Sequence, residues 1–168
     1  TPENDWKDAF PIMRDESARY YEREAKRLSE ETEYAIIGNL GGGGLGDAAI
    51  LPGLSERNPK GIRRMEDWLM AHILYPDYIK AVFEMQTQSM LKNLEMYSQA
   101  VGDRIQIVWI SGTDFGTQRG EFVSPEIFKD IYKPFYRRIN DWVHKNTHWK
   151  TFFHTCGSIY SILPDIIE

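Results

Sequence analysis

The sequence predicts an α/β fold, a partial TIM (β/α)8 barrel with about three parallel strands and flanking helices, and three observations predict it. Residues 105–110 read Ile-Gln-Ile-Val-Trp-Ile, apolar on nearly every position, as strands are in parallel sheets covered by helices. Short strand-like runs alternate with segments of helical period, the order that produces parallel strands joined by right-handed crossovers. Only three such runs occur in 168 residues, whereas a closed barrel takes about 250. The chain is part of a barrel or a small open sheet.

Taken in order, residues 4–31 have helical spacing. Trp6, Phe10, Met13, Tyr20 or Tyr21, Ala25 and Leu28 recur on one side among Arg, Lys and Glu. Pro11 divides a short first turn from a longer helix. Tyr34–Ile37 reads as a short buried strand. Gly41–Gly44 and Gly46 follow it. No Gly-Lys-Ser/Thr succeeds them, so this is not a phosphate loop; it reads as a mobile loop at the mouth of a site, suited to a lid. Residues 47–60 contain Pro52, Gly53, Asn58 and Pro59 and form a long irregular connection of the kind usually tied to function.

Residues 62–75 are helical in pattern, with Met65, Leu69, His72 and Ile73 roughly on one side. Pro76 opens the next helix, which runs to Val101 with Ile79, Val82, Phe83, Met90, Leu94 and Tyr97 inward. After the apolar strand and a loop, Ser124-Pro125-Glu126 offers a side-chain cap, a proline at the first position and an early acid. Ile127, Ile131, Phe135, Ile139 and Trp142 then mark a buried face, and Pro134 should kink the helix. Lys150–Phe153 is the last strand. Ile159, Ile162, Leu163, Ile166 and Ile167 follow helical spacing to the final residue without a cap. With Thr1 in place of Met, this leads us to expect that residues 1–168 are an internal fragment of one barrel domain.

The chain is 42% hydrophobic and 27% charged, ordinary for a soluble globular domain. A net charge of −5 argues against a nucleic-acid binder, which usually carries a basic face. No apolar run approaches the ~20 residues of a membrane span, and no signal peptide is visible. The single cysteine, Cys156, excludes an intrachain disulfide framework and points to a reducing cytoplasm.

Two stretches carry chemistry. On a strand, residues i and i+2 share a face, so if the last strand persists to Cys156, His154 and Cys156 project together at its end. That end is where α/β barrels place their sites. Imidazole and thiolate suit Zn²⁺; the alternative is a small buried cysteine beside a hydrogen-bonded histidine. Thr113-Asp114-Phe115-Gly116-Thr117-Gln118 follows the apolar strand onto the same rim. Asp114 is a candidate general acid or base, and Gln118 a candidate substrate contact. The alternative here is an Asx-type turn with Gly116 in an unusual backbone conformation. The Asp-Phe-Gly triplet is not a kinase motif, because the other kinase signatures are missing. His72, His144 and His148 read as surface or capping residues. The aromatic and methionine positions 83, 85, 90, 96 and 97 read as core.

Several segments together resemble the uroporphyrinogen decarboxylase superfamily. They are Trp109-Ile110 through Gly120, Ser124-Pro125-Glu126-x-Phe128, Lys133-Pro134-Phe135, Phe153-His154-Thr155-Cys156-Gly157 and Leu163-Pro164-Asp165-Ile166-Ile167-Glu168; the segment 51–97 is compatible. The resemblance implies a middle section of a single (β/α)8 barrel. It also implies one of two activities. The decarboxylases of porphyrin biosynthesis act on a tetrapyrrole without metal or cofactor, using an aspartate and an arginine-rich motif in a region with no counterpart here. The other branch is similar in fold and moves methyl groups between a corrinoid (cobalamin) protein and a small-molecule thiol or pterin. Its thiol-methylating members hold zinc through a His-x-Cys pair and a later cysteine. The resemblance assigns His154 and Cys156 to that pair, places the third ligand outside this chain, and leaves Asp114 and Gln118 to contact substrate. It favours the methyltransferase branch, with the decarboxylase and a noncatalytic barrel that binds a corrinoid protein as alternatives. Three strands leave open sheet edges, so a homo-oligomer is expected of the fragment, and the fragment alone is expected to be inactive.

Overall fold

The computed structural model describes residues 1–47, 60–62 and 64–168, so most of the predicted connection over 47–60 lies outside the described residues. The element order is α1 (Pro2–Asp5), α2 (Asp15–Glu31), β1 (Ile37–Gly38), α3 (Met65–Leu74), α4 (Pro76–Val101), β2 (Ile107–Ser111), α5 (Pro125–Ile127), α6 (Lys133–Asn146), β3 (Lys150–Phe153) and α7 (Leu163–Ile167). The three strands are parallel in the order β1-β2-β3. Ile37 stands opposite Ile107, and Trp109 opposite Phe152. The register shifts between Trp109 and Ser111, so β2 gains a residue at its C-terminal end.

One face of this sheet is packed and the other is open. Val108 and Ile110 point into a core built with Ile79, Val82, Phe83, Met90 and Leu94 of α4 and Phe135, Ile139 and Val143 of α6. Ile37, Ile107, Trp109, Lys150 and Phe152 alternate onto the other face, partly or largely exposed. In a complete barrel that face is the interior.

Several boundaries differ from the sequence pattern, each for a local reason. Helix does not run through residues 6–14. Trp6 turns into the core and its Nε1 donates to Tyr78 Oη at 3.0 Å. Asn93 of α4 then takes up the connecting backbone, accepting from Met13 N at 2.7 Å and donating to Pro11 O at 3.1 Å. The predicted strand 34–37 is displaced to Ile37–Gly38, and it is not buried. Tyr34 is 83% exposed and Ile37 51%. Pairing begins late because the Gln106 side chain occupies the Ile36 N–H, at 2.8 Å.

The expected kink at Pro134 is replaced by a wider turn. Proline has no N–H to continue the helical ladder. Residues 128–132 form a π-helical turn instead, closed by Lys133 N–H on the Phe128 carbonyl. The extra residue rotates the buried stripe. Phe128, Tyr132 and Tyr136 join Ile131, Phe135 and Ile139 inside, while Ile127 and Trp142 lie at its margin. Ser124 caps this helix as predicted, its Oγ accepting from Ile127 N at 3.3 Å. The helical spacing from 159 is only partly realised. Pro164 fits the first turn of a helix, and α7 starts beside it, whereas Ile159–Ile162 make a tight turn that buries Ile162.

The glycine cluster is packed, which corrects its reading as a mobile lid. Leu45 is fully buried. Gln86 Nε2 donates to the carbonyls of Gly42 and Gly44 at 3.0 and 3.2 Å. A Cβ on Gly43 would stand 1.9 Å from the Ile110 carbonyl oxygen, so glycine is needed for loop and strand to approach this closely. No helix among the described residues is long and apolar enough to cross a membrane.

Candidate metal centre

The site is assembled from the loops that leave β2 and β3. Along residues 113–115 alternate side chains point opposite ways, Thr113 and Phe115 buried and Asp114 exposed. Phe115 holds the loop down against Phe128, Tyr132 and Phe153, with ring centroids 4.9–6.2 Å away. Beneath Thr113 lies a buried polar chain. Thr113 Oγ1 donates to the Leu45 carbonyl at 2.8 Å, so the Tyr136 hydroxyl, 2.7 Å away, donates to it in turn. Tyr136 Oη then accepts from Ser111 Oγ at 2.7 Å. One ordered relay ties the glycine loop to the end of β2. Burial pushes the Tyr136 phenol up to about 12, so it stays a donor.

The second loop is zipped to the first. His154 N donates to Ser111 O at 3.0 Å, Phe115 N to Thr155 Oγ1 at 2.9 Å, Gly116 N to Cys156 O at 3.1 Å and Ser158 N to Thr117 O at 2.7 Å. Gly157, with φ +84°, lies directly on Gly116; a Cβ there would fall 2.1 Å from the Gly116 carbonyl oxygen. Glu121 closes the far end by accepting from both Ser161 N and Ser161 Oγ, at 2.8 and 2.7 Å.

Three of the four residues singled out in the sequence meet here. His154 Nε2 and Cys156 Sγ are 3.5 Å apart, and Asp114 joins them, the three ligand atoms all lying within 4.8 Å of one another. Cys156 is exposed, so it is not the small buried cysteine of the alternative reading. Asp114 makes no turn within its own loop: its Oδ1 accepts from Cys156 N at 3.0 Å, and Gly116 has no positive φ. Gln118 lies outside the cluster, exposed, with no side-chain hydrogen bond to the described residues. Behind the cluster the Trp109 ring faces the His154 imidazole at 5.5 Å.

The donors fit zinc. Two ligands on one tetrahedral zinc, a nitrogen at about 2.05 Å and a sulfur at about 2.3 Å, stand roughly 3.6 Å apart, and the observed pair is at 3.5 Å. The Cys156 thiol is pushed up, first by its hydrogen bond to the Asp114 carboxylate, then by desolvation and by the charges of Asp114 and Asp47. Without a cation it is therefore protonated at neutral pH. A bound divalent cation favours the thiolate and reverses that balance.

Asp47 escaped the sequence reading, although it is buried at the end of the glycine loop next to Gly44 and Thr113; an acid closing a glycine run after a strand was the available signal. His72 corrects another expectation. It is buried between α3 and the π turn, Nδ1 donating to Trp68 O at 2.9 Å and Nε2 meeting Tyr132 Oη at 2.7 Å. Desolvation lowers its pKa, so Nε2 accepts from the tyrosine. His144 and His148 are exposed, as expected.

A parallel sheet with candidate ligands on loops at the C-terminal ends of its strands is the arrangement of an α/β-barrel enzyme. The chain belongs to the uroporphyrinogen decarboxylase (URO-D) family: the family profile with that description matches residues 16–168. Its three strands and their helices are a section of that family's barrel. Comparisons with curated proteins and with solved structures gave no match.

Proposed function

We propose that this member of the URO-D family is a corrinoid-dependent methyltransferase in which His154 and Cys156 hold zinc and the acceptor is a thiol. The 3.5 Å spacing of His154 Nε2 and Cys156 Sγ carries the proposal. Held by His154 and Cys156, zinc would lower the pKa of the acceptor thiol, giving a thiolate at neutral pH able to take the methyl group as the cobalt–carbon bond breaks and its electron pair stays on the corrinoid cobalt. The chain's own contribution is positional. The backbone zipper fixes the two loops before any ligand arrives, and the Trp109 ring limits where the imidazole can turn. The corrinoid comes from a partner protein.

A second reading has its own support, because the matching family is described as a decarboxylase. One pair of assays separates them. The full-length protein that contains this chain is incubated with methylcobalamin and a thiol, then with uroporphyrinogen, each with and without a chelator. The proposal expects thiol-dependent demethylation of the corrinoid that the chelator abolishes and added zinc restores. Chelator-insensitive decarboxylation of the tetrapyrrole, without methyl transfer, would sink it.

A further inference from the structure

We infer that Asp114 is a third protein ligand of the metal, so that this chain itself offers a nitrogen, a sulfur and an oxygen donor. The inference rests on the zinc reading above and departs from the expectation that the third ligand lies outside the chain. The carboxylate is anchored through Oδ1, which accepts the Cys156 N–H at 3.0 Å, and it also accepts from the Cys156 thiol, so carboxylate and sulfur already face each other at the site. The bond to the Cys156 N–H orients two ligands at once, because it holds the backbone that carries Cys156 Sγ. In a tetrahedral zinc site the edges joining such donors are about 3.4–3.6 Å. The three atoms here lie within 4.8 Å, so the longest separation closes by at most about 1.4 Å, within reach of side-chain rotation at partly exposed positions.

The two threonine hydroxyls on the loop are already committed. Thr113 Oγ1 bonds Leu45 and Tyr136, and Thr117 Oγ1 bonds Gly120. Charge points the same way: a carboxylate and a thiolate balance a divalent cation, the imidazole stays neutral, and the fourth position remains open for a substrate thiol, as in catalytic zinc sites.

The competing role for Asp114 is a plain backbone cap on the second loop, and Asp114→Asn separates the two. Its amide oxygen still accepts the Cys156 N–H, but a neutral amide is a poor zinc ligand. Zinc titration calorimetry and Co²⁺ absorption on the purified chain give the readout, with Gln118→Ala as control and Cys156→Ser marking the thiolate charge-transfer band. The expected result is one metal per chain, unchanged in Gln118→Ala and weakened at least 10–100-fold in Asp114→Asn, about the loss seen on disturbing a metal's supporting shell, with an unchanged melting temperature. Wild-type affinity in Asp114→Asn would make Asp114 a cap and overturn the inference while leaving the zinc reading intact. If wild type binds neither metal, both fail. Should Asp114→Asn not fold, Asp114→Glu retains the carboxylate and is expected to bind Co²⁺ with altered d–d bands; unaltered bands would overturn the inference.

Discussion

The two faces of the sheet, built from the same strands, have opposite characters. On the helix side Val108 and Ile110 meet a dense aromatic layer, in which Phe83 touches Tyr132 and Phe135 at 4.9 and 5.7 Å and Tyr136 touches Phe153 at 4.9 Å. On the open side Phe152 is 39% exposed beside Trp109. Stability therefore resides on one face, while His154 stands at the end of the strand position that points to the other. A barrel enzyme benefits from this division, because its ligands can be altered without disturbing the layer that holds the strands.

Substitutions test that contrast. Phe83→Ala should have the largest effect, about 3–5 kcal/mol for emptying a buried aromatic site, read as a fall in the denaturation midpoint. The next effect is a pH dependence on the packed side. Because burial keeps His72 neutral in the folded chain, the unfolded chain binds more protons once the pH drops below the ordinary histidine value of about 6.5. The contribution is complete above that value and is lost as the pH falls through the window beneath it. Melting temperatures should decline there in wild type and less so in His72→Leu; the carboxylates Asp165 and Glu168, whose pKa values are lowered chiefly by hydrogen bonds from Lys133, weaken only in more acid solution. The smallest effect belongs to the open face: Phe152→Thr should change stability by no more than about 0.5 kcal/mol while reducing self-association in light scattering. A large loss there would mean that the open face is covered in solution.

The parts legible in the sequence were those governed by short periodicities. Lys150–Phe153 appears as predicted, because an edge between a helix end and a His-x-Cys pair leaves few alternatives. His154 and Cys156 meet as their spacing suggested, although β3 stops at Phe153 and both stand on the loop after it, and the chain order of strand and loop brought Asp114 to the same rim. Features that depend on distant partners were not legible. His72 finds Tyr132 at a separation of 60 residues, and Tyr136 meets Ser111 at 25; neither pairing has a local signature. The glycine loop was misread because composition suggests freedom, whereas its glycines serve close approach to Ile110. Pro134 was correctly seen as an interruption, but periodicity alone does not distinguish a kink from a π turn.

The contact of Gly116 with Gly157 also bears on how such a site could be moved. Because each backbone occupies the space a side chain would need on the other, the loops after β2 and β3 form a single cassette. Grafting only the His-x-Cys loop onto another barrel would set Gly157 against whatever residue the host carries opposite it, and a host side chain there would force the loops apart. Both loops, taken with the Ser111–Tyr136–Thr113 relay that seats the first, are the smallest unit that can be transplanted.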